Sequence, residues 1–402
     1  MNILLLCNKL PYPPKDGGSI ATLNLAKGFV LAGNHVEILA INTSKHFTPL
    51  DKIPAKLSTQ ITFHAVDVNT DLKPHKALSN LLFSIKPYNA VRFFSKVFDK
   101  LLVDILKKGS FNIIQLEGLY MTQYINTIRK NSDAIISFRA HNIEHEIWQR
   151  TAKQMRNGLK KIYLNILTRR IRNLEVNIIN NYDLLIPITG REEEIFNKLG
   201  NIKPVYVSQT GINTNEINPG NIKPEYPSVF HIGALDWGPN QEGIIWFIKN
   251  IWPKILKNYP TLKFYIAGRN APEWFIKSAS GKNILFLGEV DDAYDFMQKK
   301  AIMIVPLLSG SGMRIKIIEG MALGKTIVST SIGSEGINST HKKNILIANT
   351  IEEFLSELEK LLSDQKMFNN IGENAVKFIM ENFDNFVLSE NLVDFYKSQI
   401  NR

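Results

Sequence analysis

The strongest constraint on the fold is an opening order of strand, glycine loop, helix and strand. NILLLCN is a short apolar run with the length of a buried strand. The loop KLPYPPKDGGS follows, then SIATLNLAKGFVLAGNH, which reads as a helix ended by Gly33, then the strand VEILAIN. Two strands joined through a helix pair in parallel, so this is the repeating unit of a doubly wound sheet. ITFHAVDV, NIIQLE, AIISFRA and LLIPIT extend the series, with long helical stretches between them. A second series starts after residue 225, with strands at SVFHIGAL, LKFYIAG, ILFLGEV, IMIVPL, KTIVST and NILIA. QEGIIWFIKNIWPKILKNY, AYDFMQKK, RIKIIEGMAL and IEEFLSELEKLLSD alternate with them as helices. The join, GINTNEINPGNIKPEYP at 211–227, is rich in Asn, Pro and Gly and poor in apolar pattern. The expected fold class is α/β, with one doubly wound series over 1–210 and another over 225–375. In such sheets ligands sit beyond the carboxyl ends of the strands. If the two sets of ends face each other, the natural site is the cleft between the domains.

Composition and charge narrow the function classes. With 44% hydrophobic residues the chain can build real cores. No apolar run is long enough for a membrane-spanning helix. The N-terminal apolar run has no basic flank before it and stops at Lys9 and a proline cluster, so a signal peptide is not expected. The single cysteine, Cys7, excludes an internal disulfide framework and a cysteine-based metal site. The expected location is cytoplasmic. The net charge of +11 is confined to one half: residues 1–200 hold 27 Lys and Arg against 16 Asp and Glu, and the rest is neutral. Such asymmetry points to an anionic partner for one domain, either a membrane surface, a phosphate-bearing substrate or nucleic acid. No nucleic-acid module accompanies it, so nucleic acid is not expected. The densest basic stretch, Arg150 to Arg172, has no acidic residue and carries apolar residues near helical spacing. It reads as one basic amphipathic helix, either a solvated face over a core or a peripheral contact to the inner face of a membrane.

Several loops carry candidate chemistry. Asp16-Gly17-Gly18-Ser19 lies between the first strand and helix, where glycines let backbone approach a ligand and a helix start favours anions. His141 follows the strand AIISFRA in RAHNIE, at a carboxyl end. The most informative segment is LSGSGMRIKIIEGMA, residues 308–322, where a strand runs through a Gly/Ser loop into a helix. The free N–H groups of that loop suit phosphate oxygens. Arg314 and Lys316, in the first turn, oppose the helix dipole, so a phosphate would relieve a local conflict. Glu319, further along, suits the vicinal hydroxyls of a ribose. Gly268 and Arg269 close one strand, and Glu289 and Val290 follow another. There is no Asp-x-Asp and no His-Glu-x-x-His, so no metal site is expected.

These segments resemble retaining glycosyltransferases of family 4, whose GT-B architecture is two facing Rossmann-like domains with an interdomain cleft. The resemblance runs through PPKDGGSIATLNLAKGFVLAGNHVEIL, RAHNIEHEIW, QTGIN and HIGALDWGPNQEGIIWFIKNIWP. It is most specific in GSGMRIKIIEGMALGKTIVSTSIGSEGI. It implies an acceptor-binding domain over 1–210 and a donor-binding domain over 225–375, with a helical segment, 376–402, returning to the first. Gly17 and Gly18 match the loop near the donor diphosphate, and His141 matches the histidine near the transferred sugar. Gly312 and Met313 match backbone contacts to the diphosphate, Val290 a backbone contact to the base, and Glu319 the glutamate that holds the ribose. Two departures stand out. Ser311 replaces the first glutamate of the Glu-x7-Glu motif. The loop after SVFHIG has Ala234, Pro239 and Asn240 where the family has arginine and lysine, and Arg314 and Lys316 are the substitutes. This G-x-G-M-R-x-K variant resembles a subset active in exopolysaccharide and capsule assembly. The resemblance implies a metal-independent hexosyltransferase that needs no cofactor beyond its UDP-, GDP- or ADP-sugar donor. The acceptor it implies is a glycan or a polyprenyl-diphosphate-linked acceptor. Competing readings are a nucleotide-sugar epimerase or phosphorylase of the same fold, and a sugar-nucleotide-binding module without catalysis.

Overall fold

The computed structural model describes residues 1–402 except 156, 157, 218, 221, 311 and 402. They divide into two compact units, Met1–Gly211 with Asn385–Arg402, and Ile212–Asp384. The first unit is built on β1 (Asn2–Cys7), β2 (His35–Thr43), β3 (Ile61–Val68), β4 (Ile113–Glu117), β5 (Ile135–Ala140) and β6 (Leu184–Pro187). Their order is β3-β2-β1-β4-β5-β6, every neighbour parallel, with Ile3 opposite Val36 on one side and Ile113 on the other. The second unit holds β7 (Glu225–Ile232), β8 (Phe264–Ala267), β9 (Ile284–Gly288), β10 (Lys300–Val305), β11 (Thr326–Ser329) and β12 (Leu346–Ile347). Their order, β12-β11-β10-β7-β8-β9, is the same winding when counted from β7, again all parallel. Each is therefore the Rossmann order.

The strand sequences follow from this. A central parallel strand is covered on both faces, so β1 and β10 are continuous apolar runs, buried from Ile3 to Cys7 and from Ala301 to Val305. At the edge of the second sheet, β9 instead exposes Leu285 and Leu287. The segment QEGIIWFIKNIWPKILKNY, which reads as one helix, is two: Gly238–Asn250 and Trp252–Asn258. Pro253 has no N–H to continue the first helix and sits in the opening turn of the second.

The basic stretch is not one amphipathic helix. It is divided between the helices Glu144–Gln154 and Gly158–Ile178, which pack on each other; Arg156 lies outside the described residues. Its apolar residues split between two faces. Leu164, Leu167 and Ile171 are buried, whereas Leu159, Ile162 and Ile166 are exposed.

The Gln365–Asn382 helix buries Phe368, Ile371, Ala375 and Ile379 in the cores of the second unit, so the chain leaves that unit at Asp384 rather than at 375. The last helix, Asn385–Ile400, packs on the helix Gly17–Leu31 of the first unit and buries Leu392, Val393 and Tyr396 beside Leu25 and Phe29. The contact is closest at Gly28, where a Cβ would lie 1.9 Å from the Ser389 hydroxyl and 2.6 Å from its Cβ. Gly28→Ala is therefore expected to destabilise the first unit by about 1–3 kcal/mol through overpacking. Adding Ser389→Gly removes the two nearest clashing atoms, leaving Asn385 Nδ2 at 2.9 Å, and should recover part of the loss in denaturant unfolding. Additive losses in the double variant would rule out this contact as the cause.

Candidate functional site

In the first unit the candidate residues gather at the carboxyl ends of β1, β4 and β5. Asp16 caps the Gly17–Leu31 helix by accepting from the Ser19 N–H at 3.0 Å, so Gly17 and Gly18 are the first two helical residues. Lys9, just past β1, pairs with Asp16 at 2.5 Å. Burial raises the Asp16 carboxyl, but Lys9 outweighs it and holds the group at about 2. One turn on, the Thr22 hydroxyl donates to Glu117 Oε2 at 2.8 Å. The same oxygen lies 2.6 Å from His141 Nε2 and 3.4 Å from Arg139 Nη1. Burial would raise Glu117, but Arg139, then His141 and Gln115, overcome it and hold the carboxyl at about 2. Glu117 therefore stays charged and ties His141 to the start of the first helix.

Behind His141 the chain turns into the Glu144–Gln154 helix, whose start is capped from far away in sequence. Buried Glu175 accepts from the backbone N–H of Glu144 at 2.7 Å and of His145 at 3.0 Å, and meets His145 Nδ1 at 2.5 Å. Burial and Glu175 push the Glu144 carboxyl up to about 7, where the Tyr120 hydroxyl donates to it at 3.0 Å. Beyond β1, β2 and β3 lies a cavity of about 330 Å³ lined by Lys9, Lys45, His46, Arg92 and Phe93.

In the second unit the ends of β7 and β8 nearly touch. Gly268 has φ +149°, and a Cβ there would lie 1.8 Å from the Gly233 carbonyl, so only glycine fits. Arg269 follows, and its carbonyl accepts from the Leu235 N–H at 2.9 Å. Past β10, the loop leads into the Ile315–Ala322 helix. Lys316 is half-buried and reaches back to the β7 end, donating to Asn240 Oδ1 at 2.9 Å and lying 3.1 Å from His231 Nε2. His231 meets the Ile304 carbonyl through Nδ1 at 2.9 Å. Burial, then Lys316, push the His231 pKa well down, so the ring is neutral, Nδ1 carries the hydrogen and Nε2 accepts from lysine. Burial, then Arg314, push the Lys316 ammonium well below its ordinary range. Arg314 is buried, with its guanidinium 5.0 Å from the Trp237 ring and Nη1 donating to the Gly312 carbonyl at 2.6 Å. Glu319 accepts from the Tyr294 hydroxyl at 2.9 Å, and burial pushes its carboxyl up to about 7. Val290, Tyr294, Met313 and Trp237 pack against one core cluster.

The candidates thus fall into two groups. Gly17, Gly18 and His141 are joined in the first unit, and Gly268, Arg269, Val290, Gly312, Met313, Arg314, Lys316 and Glu319 lie in the second. Ser311 lies outside the described residues. Sequence reasoning missed Glu117, His231, Trp237 and Tyr294. The rule that singled out His141 reaches Glu117 as well, since it ends the strand NIIQLE. Tyr294 has no such signal.

Residues 226–364 match the family described as glycosyl transferases group 1. The matched stretch contains every second-unit candidate above. The chain is also 29% identical over 165 residues to an uncharacterized 44.6 kDa protein in the cps region of Klebsiella pneumoniae, a match spanning 39% of this chain and 42% of that protein. Over its full length it superposes on the sucrose-phosphate synthase of Thermosynechococcus elongatus with a TM-score of 0.72 and 14% identity, covering 100% of both chains. It superposes on Anabaena HepE in complex with UDP-glucose with a TM-score of 0.67 and 12% identity, covering 98% and 99%. The fold is GT-B, with two Rossmann-like domains.

The raised Glu319 carboxyl has a sign that separates function from stability. Its folded pKa, about 7, exceeds the ordinary 4.5, so the folded state holds a proton that the unfolded state has lost. Stability contributed by this site therefore falls as pH rises from about 4.5 to about 7 and stays low above that. Glu319→Gln removes the buried charge and keeps an acceptor for Tyr294. The variant is expected to be more stable than the parent by about 3 kcal/mol at pH 8 and nearly equal at pH 4, measured by denaturant unfolding. A variant less stable at pH 8 would show that the carboxylate supports the fold.

Proposed function

We propose that the chain is a metal-independent glycosyltransferase that uses a nucleotide-diphosphate sugar and retains the donor's anomeric configuration. The acceptor is a glycan or a lipid-linked glycan of cell-surface polysaccharide synthesis. The observation that carries this reading is the start of the Ile315–Ala322 helix in the glycosyl transferases group 1 domain, which sets Arg314 and Lys316 beside Gly312 with Glu319 one turn on. Lys316 reaches Asn240 and Arg314 stacks on Trp237, so both cations lie against the β7 loop that itself lacks basic residues. A diphosphate there meets two positive groups and a helix N-terminus. The UDP-glucose held by HepE supports a uridine nucleotide, and the cps-region relative supports a polysaccharide product.

In the reaction the bond between the anomeric carbon and the diphosphate oxygen breaks, and a bond to the acceptor oxygen forms on the same face. The acceptor proton passes to the leaving diphosphate. Arg314 and Lys316 neutralise the charge that develops on that group. Glu319 accepts from the ribose hydroxyls. Glu117 fixes the His141 ring through Nε2, which leaves Nδ1 to hydrogen-bond a sugar hydroxyl.

Calorimetry with UDP and uridine tests the assignment. Lys316→Ala and Arg314→Ala are expected to weaken UDP by about 1.5–3 kcal/mol each and to leave uridine nearly unchanged. Because burial depresses the Lys316 pKa and a bound anion raises it, UDP should bind with proton uptake, read from the dependence of heat on buffer. Equal losses for both ligands would make these side chains structural.

A further inference from the structure

Two neighbouring segments of the first unit expose large apolar side chains that no part of the site uses. The Pro74–Phe83 helix and the turn after it expose Leu78, Leu82, Phe83 and Ile85, the last two at 85% and 90%. The Gly158–Ile178 helix exposes Leu159, Ile162 and Ile166, at 82%, 59% and 37%. These three and Arg170 fall on one helical face, away from the buried Leu164, Leu167 and Ile171. Arg170 fixes the two segments together, donating to the Asn80 carbonyl at 3.1 Å and the Leu81 carbonyl at 2.8 Å.

The charge carried by these two segments has one sign. From Leu72 to Phe98 the chain has Lys73, Lys76, Lys86, Arg92 and Lys96 and no acidic residue. From Thr151 to Leu174 it again has no acidic residue, and Lys153, Lys160, Lys161, Arg169 and Arg172 are exposed. A solvated helix face would carry both signs and no Phe83 or Ile85. A protein partner would have to be apolar and acidic over the same area. Bulky apolar side chains rimmed by lysine and arginine suit the boundary between anionic headgroups and acyl chains. Among the described residues no helix is long and apolar enough to cross a membrane, so the contact is peripheral.

We propose that this face docks the protein on an anionic bilayer, with Phe83, Ile85 and Leu82 entering the acyl boundary and the basic rim on the headgroups. The inference is independent of the donor chemistry.

The test is sedimentation of the full chain with vesicles of phosphatidylcholine alone and of phosphatidylcholine with phosphatidylglycerol. Binding is expected only to the mixed vesicles. It should weaken but persist as salt shortens the Debye length from about 10 Å at about 0.1 M to about 3 Å at about 1 M, because the apolar part is not screened. Phe83→Ser with Ile85→Ser changes side chains that the fold does not bury, so thermal melting should not move. It should weaken vesicle binding about tenfold or more, equivalent to about 1.4 kcal/mol. Phe83→Trp should show a blue-shifted emission with the mixed vesicles. No binding at low salt, equal binding to both vesicles, or unchanged binding of the double variant would overturn the proposal. A double variant that altered only the sedimenting mass of the free protein would assign the face to a second copy and overturn it too.

Discussion

Parallel pairing is the constraint on which the rest depends. A strand that must lie parallel to its neighbour returns through a helix on the sheet's face, so every loop that follows a strand emerges at the same edge. In the first unit this puts Thr22, Glu117 and His141 side by side, although they are far apart in sequence. In the second it brings Gly233, Gly268 and the loop before Ile315 together. Chemistry that needs several side chains at one point needs no further arrangement of the backbone.

Within that frame the two units treat charge differently. At the ends of β4 and β5 the first holds Glu117 charged through Arg139 and His141. In the second, Lys316 and Glu319 have no partner of opposite sign among the described residues. Lys316 leans on a neutral histidine and an amide, and Glu319 on a phenol. Both groups are pushed toward their uncharged forms by burial. A site that is electrostatically incomplete when empty gains most from a ligand that supplies the missing charge.

All twelve strands overlap segments that the apolar pattern marks, because buried parallel strands leave unbroken apolar runs. The Gly/Ser loop and the cations of the Ile315–Ala322 helix were legible for a similar reason: they are local in sequence. What was not legible depends on distant partners. Glu175 ends the basic stretch as an ordinary helical glutamate, and only the fold makes it the cap of the Glu144–Gln154 helix. The apolar residues of 158–178 satisfy helical spacing, but spacing cannot say that Ile162 and Ile166 face outward while Leu164 and Leu167 face in. The division at Asp384 carries no Gly or Pro signal, because it is made by a change of packing partner between two helices.

The placement of the Asn385–Ile400 helix orders events during synthesis. The second unit is one continuous stretch and lies between the two pieces of the first. Residues 1–211 emerge from the ribosome first, yet Leu25, Gly28 and Phe29 lack the surface they pack on until 385–402 follow. The usual order, with the N-terminal domain maturing first, is thereby reversed in its last step. The unit that starts earliest finishes latest, and a nascent chain halted after residue 384 presents Leu25 and Phe29 without their cover to the chaperones it meets.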